Sequence, residues 1–195
     1  MNRETDAGWV DFILSKMGLM LFAVFILIAV AGIYPSFSER REAIALENLA
    51  SGVASKITEV AKSSISGNPY NLTMADSAGR NYTLEISSGY VTAKDAQRRA
   101  AVGLVVKIYP LPVNRTLGDE KSLRGHLTSK YGGDGTKNGT IDLSSRENVR
   151  ALFDALAKEA SASPYTVNQS RPLTIEKMEI NYEDGEPDTY VIVYQ

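Results

Sequence analysis

The residues whose spacing carries the most specific chemistry are Asp134, Thr136, Asn138 and Asp142. They fall at positions 1, 3, 5 and 9 of a loop that has Gly139 at position 6, Ile141 at position 8 and a helix signal after it. Hard oxygen donors on that spacing suit calcium, and glycine permits the sharp turn such a loop needs. Position 12, where a bidentate acid completes the pattern, is Ser145. The plainer reading of the same residues is a hairpin turn at Asn138-Gly139. Calcium is thus the one cofactor for which the sequence gives any argument.

Other reactive groups are sparse. His126 is the single histidine, and no Gly-x-Ser-x-Gly elbow accompanies it, so a Ser/His/Asp relay has no setting. Phosphate-binding and dinucleotide-binding glycine motifs are absent, and so is cysteine, which removes thiolate chemistry and disulfides together. We expect no enzymatic activity. Near the N-terminus, Asp11 and Lys16 interrupt an apolar stretch beginning at Trp9. At a membrane surface they would sit among headgroups, with Lys16 snorkelling. Deeper in lipid they would be costly unless they met partners, which makes them candidate contact residues for another protein.

Five Asn-x-Ser/Thr triplets, at Asn71, Asn81, Asn114, Asn138 and Asn168, are candidate glycosylation sites. All follow the most apolar part of the chain. Met17 to Tyr34 is an uninterrupted uncharged run, and with its upstream extension it reaches the roughly 20 residues needed to cross a bilayer as a helix. Arg3 and Lys16 before it balance Arg40 and Arg41 after it, so flanking charge does not orient it. The sequons do: the expectation is a single-pass protein of the cell membrane with its C-terminal head outside. Removal of the run as a secretory signal after Ala29-Val30-Ala31 is the competing outcome, and it leaves the head on the same side.

The remaining 160 or so residues suffice for one domain with a real core. Basic and acidic residues, 21 against 23, nearly cancel, so no basic field points to nucleic acid. Residues 1–8 form a polar leader, 9–34 the transmembrane helix and 35–67 an amphipathic continuation, with Pro35 expected to kink or break the helix and Ser36 or Ser38 to cap its restart. Leu46, Leu49, Val53, Ile57 and Val60 recur at helical spacing and make one apolar stripe, whose expected use is docking on the chain's own sheet.

Residues 68–195 form the β-rich head. The alternation predicts a hairpin of Tyr70 to Ala75 with Asn81 to Ile86 through the turn Asp76 to Arg80, then a strand Tyr90 to Ala93 and a central strand Ala101 to Tyr109 ended by Pro110. Leu111 to Asp142 reads as surface loop with short pieces of structure. Ser144 and Glu147 form a capping box for a helix whose buried stripe is Val149, Leu152, Phe153, Leu156, Ala157 and Ala160. A final hairpin, Leu173 to Tyr182 with Thr189 to Tyr194, has one buried face. The fold class is α+β: a long N-terminal transmembrane and amphipathic helix, then a small antiparallel β-sheet head with one further helix.

A short polar leader, an apolar helix that continues as an amphipathic one and a small β-rich head bearing sequons together resemble the archaeal type IV pilin-like family. The resemblance covers the layout of the whole chain, with its motif content confined to Ala7 through about Ala31. It implies peptidase cleavage between Gly8 and Trp9, packing of helix N-termini in a filament core, and a role for Asp11 as the acid that pairs with a neighbour's amine. Ala7 stands where the family usually has Lys or Arg, Asp11 would be the third mature residue instead of a fifth-position Glu, and Lys16 breaks the apolar face. The implied role is therefore a minor or accessory subunit of a pilus-like or secretion-like assembly, with other pilin-like subunits or assembly-platform proteins as partners. The alternative is a stand-alone membrane-anchored extracellular binding or sensor domain.

Overall fold

The computed structural model describes residues 3–74, 82–111, 117–183 and 185–195, and within them the side chains of 3–11, 13, 14 and 33–38 are left undescribed. The chain divides into two compact units, Met1–Ile44 and Ala45–Gln195. One helix, α1 (Arg3–Lys62), begins in the first and ends in the second. It includes Arg3 to Gly8 of the polar leader, and it runs through Pro35 instead of restarting after it. Proline removes one donor and costs about 3 kcal/mol in a helix interior. The helix continues across that local cost.

In the first unit α1 carries an apolar stretch, Ser15–Gly32, none of which is buried by the protein itself. Leu19, Met20, Phe22, Phe25 and Leu27 are all more than half exposed. This stretch is long and apolar enough to cross a membrane.

The second unit holds two four-stranded sheets. The first has the order β1 (Tyr70–Leu72), β7 (Leu173–Ile180), β8 (Asp188–Tyr194), β5 (Tyr109–Pro110). Its pairs are antiparallel except β5 with β8, which is parallel. The second sheet, β4 (Arg99–Gly103), β3 (Tyr90–Lys94), β2 (Thr83–Ile86), β6 (Tyr165–Thr166), is antiparallel throughout.

Residues on alternate faces of β7 and β8 enter different cores, as the period of two requires. Leu173, Ile175, Val191 and Val193 join Leu46, Ala50, Val53, Ala54 and Ile57 of α1 and Leu84, Ile86, Val91 and Ala93 of the second sheet. Met178, Ile180, Tyr190 and Ile192 join Leu123 and Leu127 of α2 (Glu120–Tyr131) and Val149 and Phe153 of α3 (Arg146–Ala162). The final hairpin therefore buries two faces, not the single face expected, and the α1 stripe docks on the chain's own sheet.

Four further expectations are corrected. β1 pairs with β7, so it forms no hairpin with β2; the expected turn Asp76 to Arg80 lies outside the described residues. The run Ala101 to Tyr109 is not one central strand. β4 ends at Gly103 on a sheet edge, Val105 is 82% exposed, and β5, which includes Pro110, belongs to the other sheet. Within the stretch expected as loop, Asp119 caps α2 by accepting from Ser122 N at 2.7 Å, and Leu123 and Leu127 seat it in the core. The head thus has two helices where one was expected. The capping box is replaced by Asp142, which accepts from Ser144 N at 2.7 Å and starts a 3₁₀ turn, Leu143–Ser145, leading into α3.

Candidate functional site

The oxygen donors of the candidate calcium loop are engaged in building a turn. Asp134 Oδ1 accepts from Thr136 N at 2.8 Å, and Thr136 Oγ1 accepts from Gly139 N at 3.1 Å. Thr136 and Gly139 form an antiparallel bridge, so Lys137 and Asn138 are the two residues of a hairpin tip. The turn is seated on the end of β7: Asn181 donates from both its backbone N (2.8 Å) and its Nδ2 (3.0 Å) to Gly135 O. Gly135 has φ +76°, and a Cβ there would lie 2.9 Å from Ile180, so both backbone and space call for glycine. Burial opposes ionisation of Asp134, but its hydrogen bonds to Thr136 and the nearby Arg124 charge hold its carboxyl below the usual range. Asp142 belongs to the following turn as the cap described above. Among the described residues no group of three or more acidic, histidine or cysteine side chains could hold a metal ion.

His126 stands half-buried on α2 between the buried positions Leu123 and Leu127. Of the sequons, Asn71, Asn138 and Asn168 are exposed, whereas Asn81 and Asn114 lie outside the described residues. Asn71 Oδ1 accepts from the Thr174 hydroxyl at 2.9 Å, and Asn168 Oδ1 accepts from Ser170 N at 2.9 Å. At the N-terminus, Gly8, Trp9 and Asp11 are all helical residues of α1. Lys16 is exposed, its Nζ 5.4 Å from the centre of the Phe12 ring one turn earlier.

The densest charge constellation is one the sequence reading missed. Asp188, at the start of β8, receives two guanidinium forks: Arg146 (Oδ1 2.6 Å, Oδ2 3.2 Å) and Arg150 (2.9 Å to each oxygen). Arg146 lies 5.3 Å over the Tyr182 ring, and Arg150 also bonds Glu147 at 3.1 Å. The available signal was the i, i+4 spacing of the two arginines at the start of α3; nothing local to them named Asp188 as the shared acceptor. Partial burial would raise the Asp188 carboxyl, yet the two arginines hold it far below the carboxylate range. Burial pushes the Tyr182 hydroxyl up to about 12. This network fastens the first turn of α3 to β8, and bidentate charge-assisted pairs of this kind are the stronger ones.

A depressed folded-state pKa contributes stability that is complete above the unfolded value of about 4 and is lost as pH falls below it. Asp188→Asn should therefore lower head stability by about 1–2 kcal/mol at pH 7, discounted because Arg150 is partly exposed. It should also flatten the stability loss below about pH 4, read as urea midpoints across a pH series. Parallel pH curves for variant and parent would remove Asp188 as the acid-sensitive group.

A buried acid, Glu176, accepts from the Tyr194 hydroxyl at 3.0 Å on the face of the first sheet that α2 and α3 cover. Burial pushes its carboxyl up, with the Tyr194 bond opposing. Compared with known proteins, the chain matches no family model, no curated protein and no solved structure.

Proposed function

We propose that the chain is a membrane-anchored, non-enzymatic, pilin-like subunit, minor or accessory in a pilus-like or secretion-like surface assembly, with its head outside the cell. The observation that carries this reading is the division of labour along α1: none of Ser15–Gly32 is buried by the protein, while Leu46, Ala50, Val53, Ala54 and Ile57 of the same helix are built into the core of the head. An apolar stretch of that length left uncovered suits lipid, and the stripe beyond it belongs to the head. Exposed Asn71, Asn138 and Asn168 support an extracytoplasmic head. Asp11 and Lys16, polar interruptions at the start of the apolar segment, are the contact points for other subunits or an assembly platform.

Reversing the charge, Asp11→Lys, should leave the protein in the membrane fraction while removing co-purification with partner subunits. Intact-mass spectrometry of the membrane-extracted parent reports the state of the leader in the same preparation. Loss of residues 1–8 fits pilin-type processing, whereas loss through Ala31 marks a secretory signal. An uncut monomer whose associations Asp11→Lys does not alter points to the stand-alone binding or sensor domain.

A further inference from the structure

We propose that the head pairs with a second copy of itself through β4, edge to edge and antiparallel, about a two-fold axis at Ala101. β4 is one outer strand of the second sheet, joined only to β3 among the described strands. Hydrogen bonds from Leu104 N to Gly89 O and from Asp95 N to Arg98 O fix which residues face β3. The antiparallel alternation then turns the backbone N–H and C=O of Arg99, Ala101 and Gly103 outward. No described residue bonds these groups. The other three edges are blunted: β1 has three residues, β6 two, and β5 two of which one is Pro110. β4 has five, with no proline and no charge after Arg99.

Self-pairing suits this edge in register and charge. Centred on Ala101, it sets Ala101 against Ala101 and Arg99 against the second copy's Gly103, three facing pairs that each exchange two hydrogen bonds. The arginines of the two copies then lie at opposite ends, roughly 14 Å apart along the strands, each facing a residue without a side chain. A parallel arrangement would set arginine beside arginine. A Cβ at Gly103 meets nothing within 4 Å, so no described atom occupies the space beside it. Val105, 82% exposed just beyond Gly103, adds apolar surface at the end of the edge that pairing would cover. The inference does not depend on the pilin-like reading, although an anchor that confines heads to one membrane surface raises their encounter.

The chain has no cysteine, so single thiols test this directly. Ala101→Cys in the full chain, in native membranes, would bring two thiols to Cα positions about 5.5 Å apart, within disulfide range. Mild oxidation should then give a dimer of the chain, at least about tenfold more than Arg99→Cys alone, whose thiols are too far apart to bridge. Co-expressed Arg99→Cys and Gly103→Cys chains should cross-link to each other. Adding Ala101→Pro, which removes an outward N–H and leaves the bonds to β3 intact, should abolish that product while near-UV circular dichroism stays unchanged. Equal cross-linking of Arg99→Cys alone overturns the proposal. So does absence of dimer from an Ala101→Cys thiol that a maleimide labels, or a cross-link to a polypeptide of another mass.

Discussion

Phe22→Lys combined with Ile26→Lys should expel the chain from the membrane. Both residues lie inside the Ser15–Gly32 stretch, 65% and 48% exposed, one helical turn apart on the same face. A lysine near the middle of a spanning helix costs about 2.5–3.5 kcal/mol, and the lost apolar side chain adds several tenths. The pair amounts to about 6 kcal/mol, or roughly 10⁴ in the insertion equilibrium, too much for snorkelling from mid-span to recover. The parent should resist alkaline carbonate extraction and the variant should not. Val105→Lys, at a still more exposed apolar site in the head, should behave as the parent. A double-lysine variant that stayed in the carbonate pellet would end the anchor reading, wherever the leader is cut.

Phe153→Ala should produce the largest loss of head stability from a single substitution, about 3–5 kcal/mol. Phe153 is fully buried on α3 and stacks on Tyr190 of β8 with ring centres 3.6 Å apart and planes 9° from parallel. Tyr109 of β5 meets both rings edge-on, at 5.1 Å and 5.3 Å. Truncation removes the ring's transfer energy, leaves a cavity between a helix and a sheet, and forfeits aromatic pairs worth about 0.5–1.5 kcal/mol each. Against a total of 5–15 kcal/mol for an ordinary domain, this is enough to unfold a marginal head at 37 °C. Urea titration of the detergent-solubilised chain, followed by tyrosine near-UV circular dichroism, measures it. Phe153→Leu should recover more than half the loss. A change under about 1 kcal/mol for the alanine variant would show that the ring cluster does not hold α3 to the sheet.

Where the sequence was readable, one physical constraint dominated. The α1 stripe and the α3 stripe repeat at helical spacing over several turns; Leu46, Val53 and Ile57 of the first and Val149 and Phe153 of the second are buried in the two cores, with Leu49, Val60, Leu152 and Leu156 partly buried against them. The register of β7 with β8, Met178 opposite Tyr190 and Thr174 opposite Tyr194, follows from strong alternation across a short connection. Partner choice was not local. Tyr70 to Leu72 and Thr83 to Ile86 both look like strands, and nothing between them says that the first pairs with β7, about a hundred residues on. α2 escaped notice because only Leu123 and Leu127 mark its buried side, with Gly125 and His126 between them. The run from Ala101 to Tyr109 misled because unbroken apolarity does not reveal a chain crossing from one sheet to another. The oxygen-rich loop shows the same limit in chemistry: spacing suggested ligands, while the hydrogen bonds of Asp134 and Thr136 make a turn.

The sharing of β7 and β8 by both cores has a consequence for biogenesis. Val53 and Ile57 on one side and Val149 and Phe153 on the other all await the same two strands, which a ribosome makes after everything they will cover. Both interiors are therefore completed only once β7 and β8 have been made, and a chain shortened before Leu173 would lack the shared sheet on both sides at once.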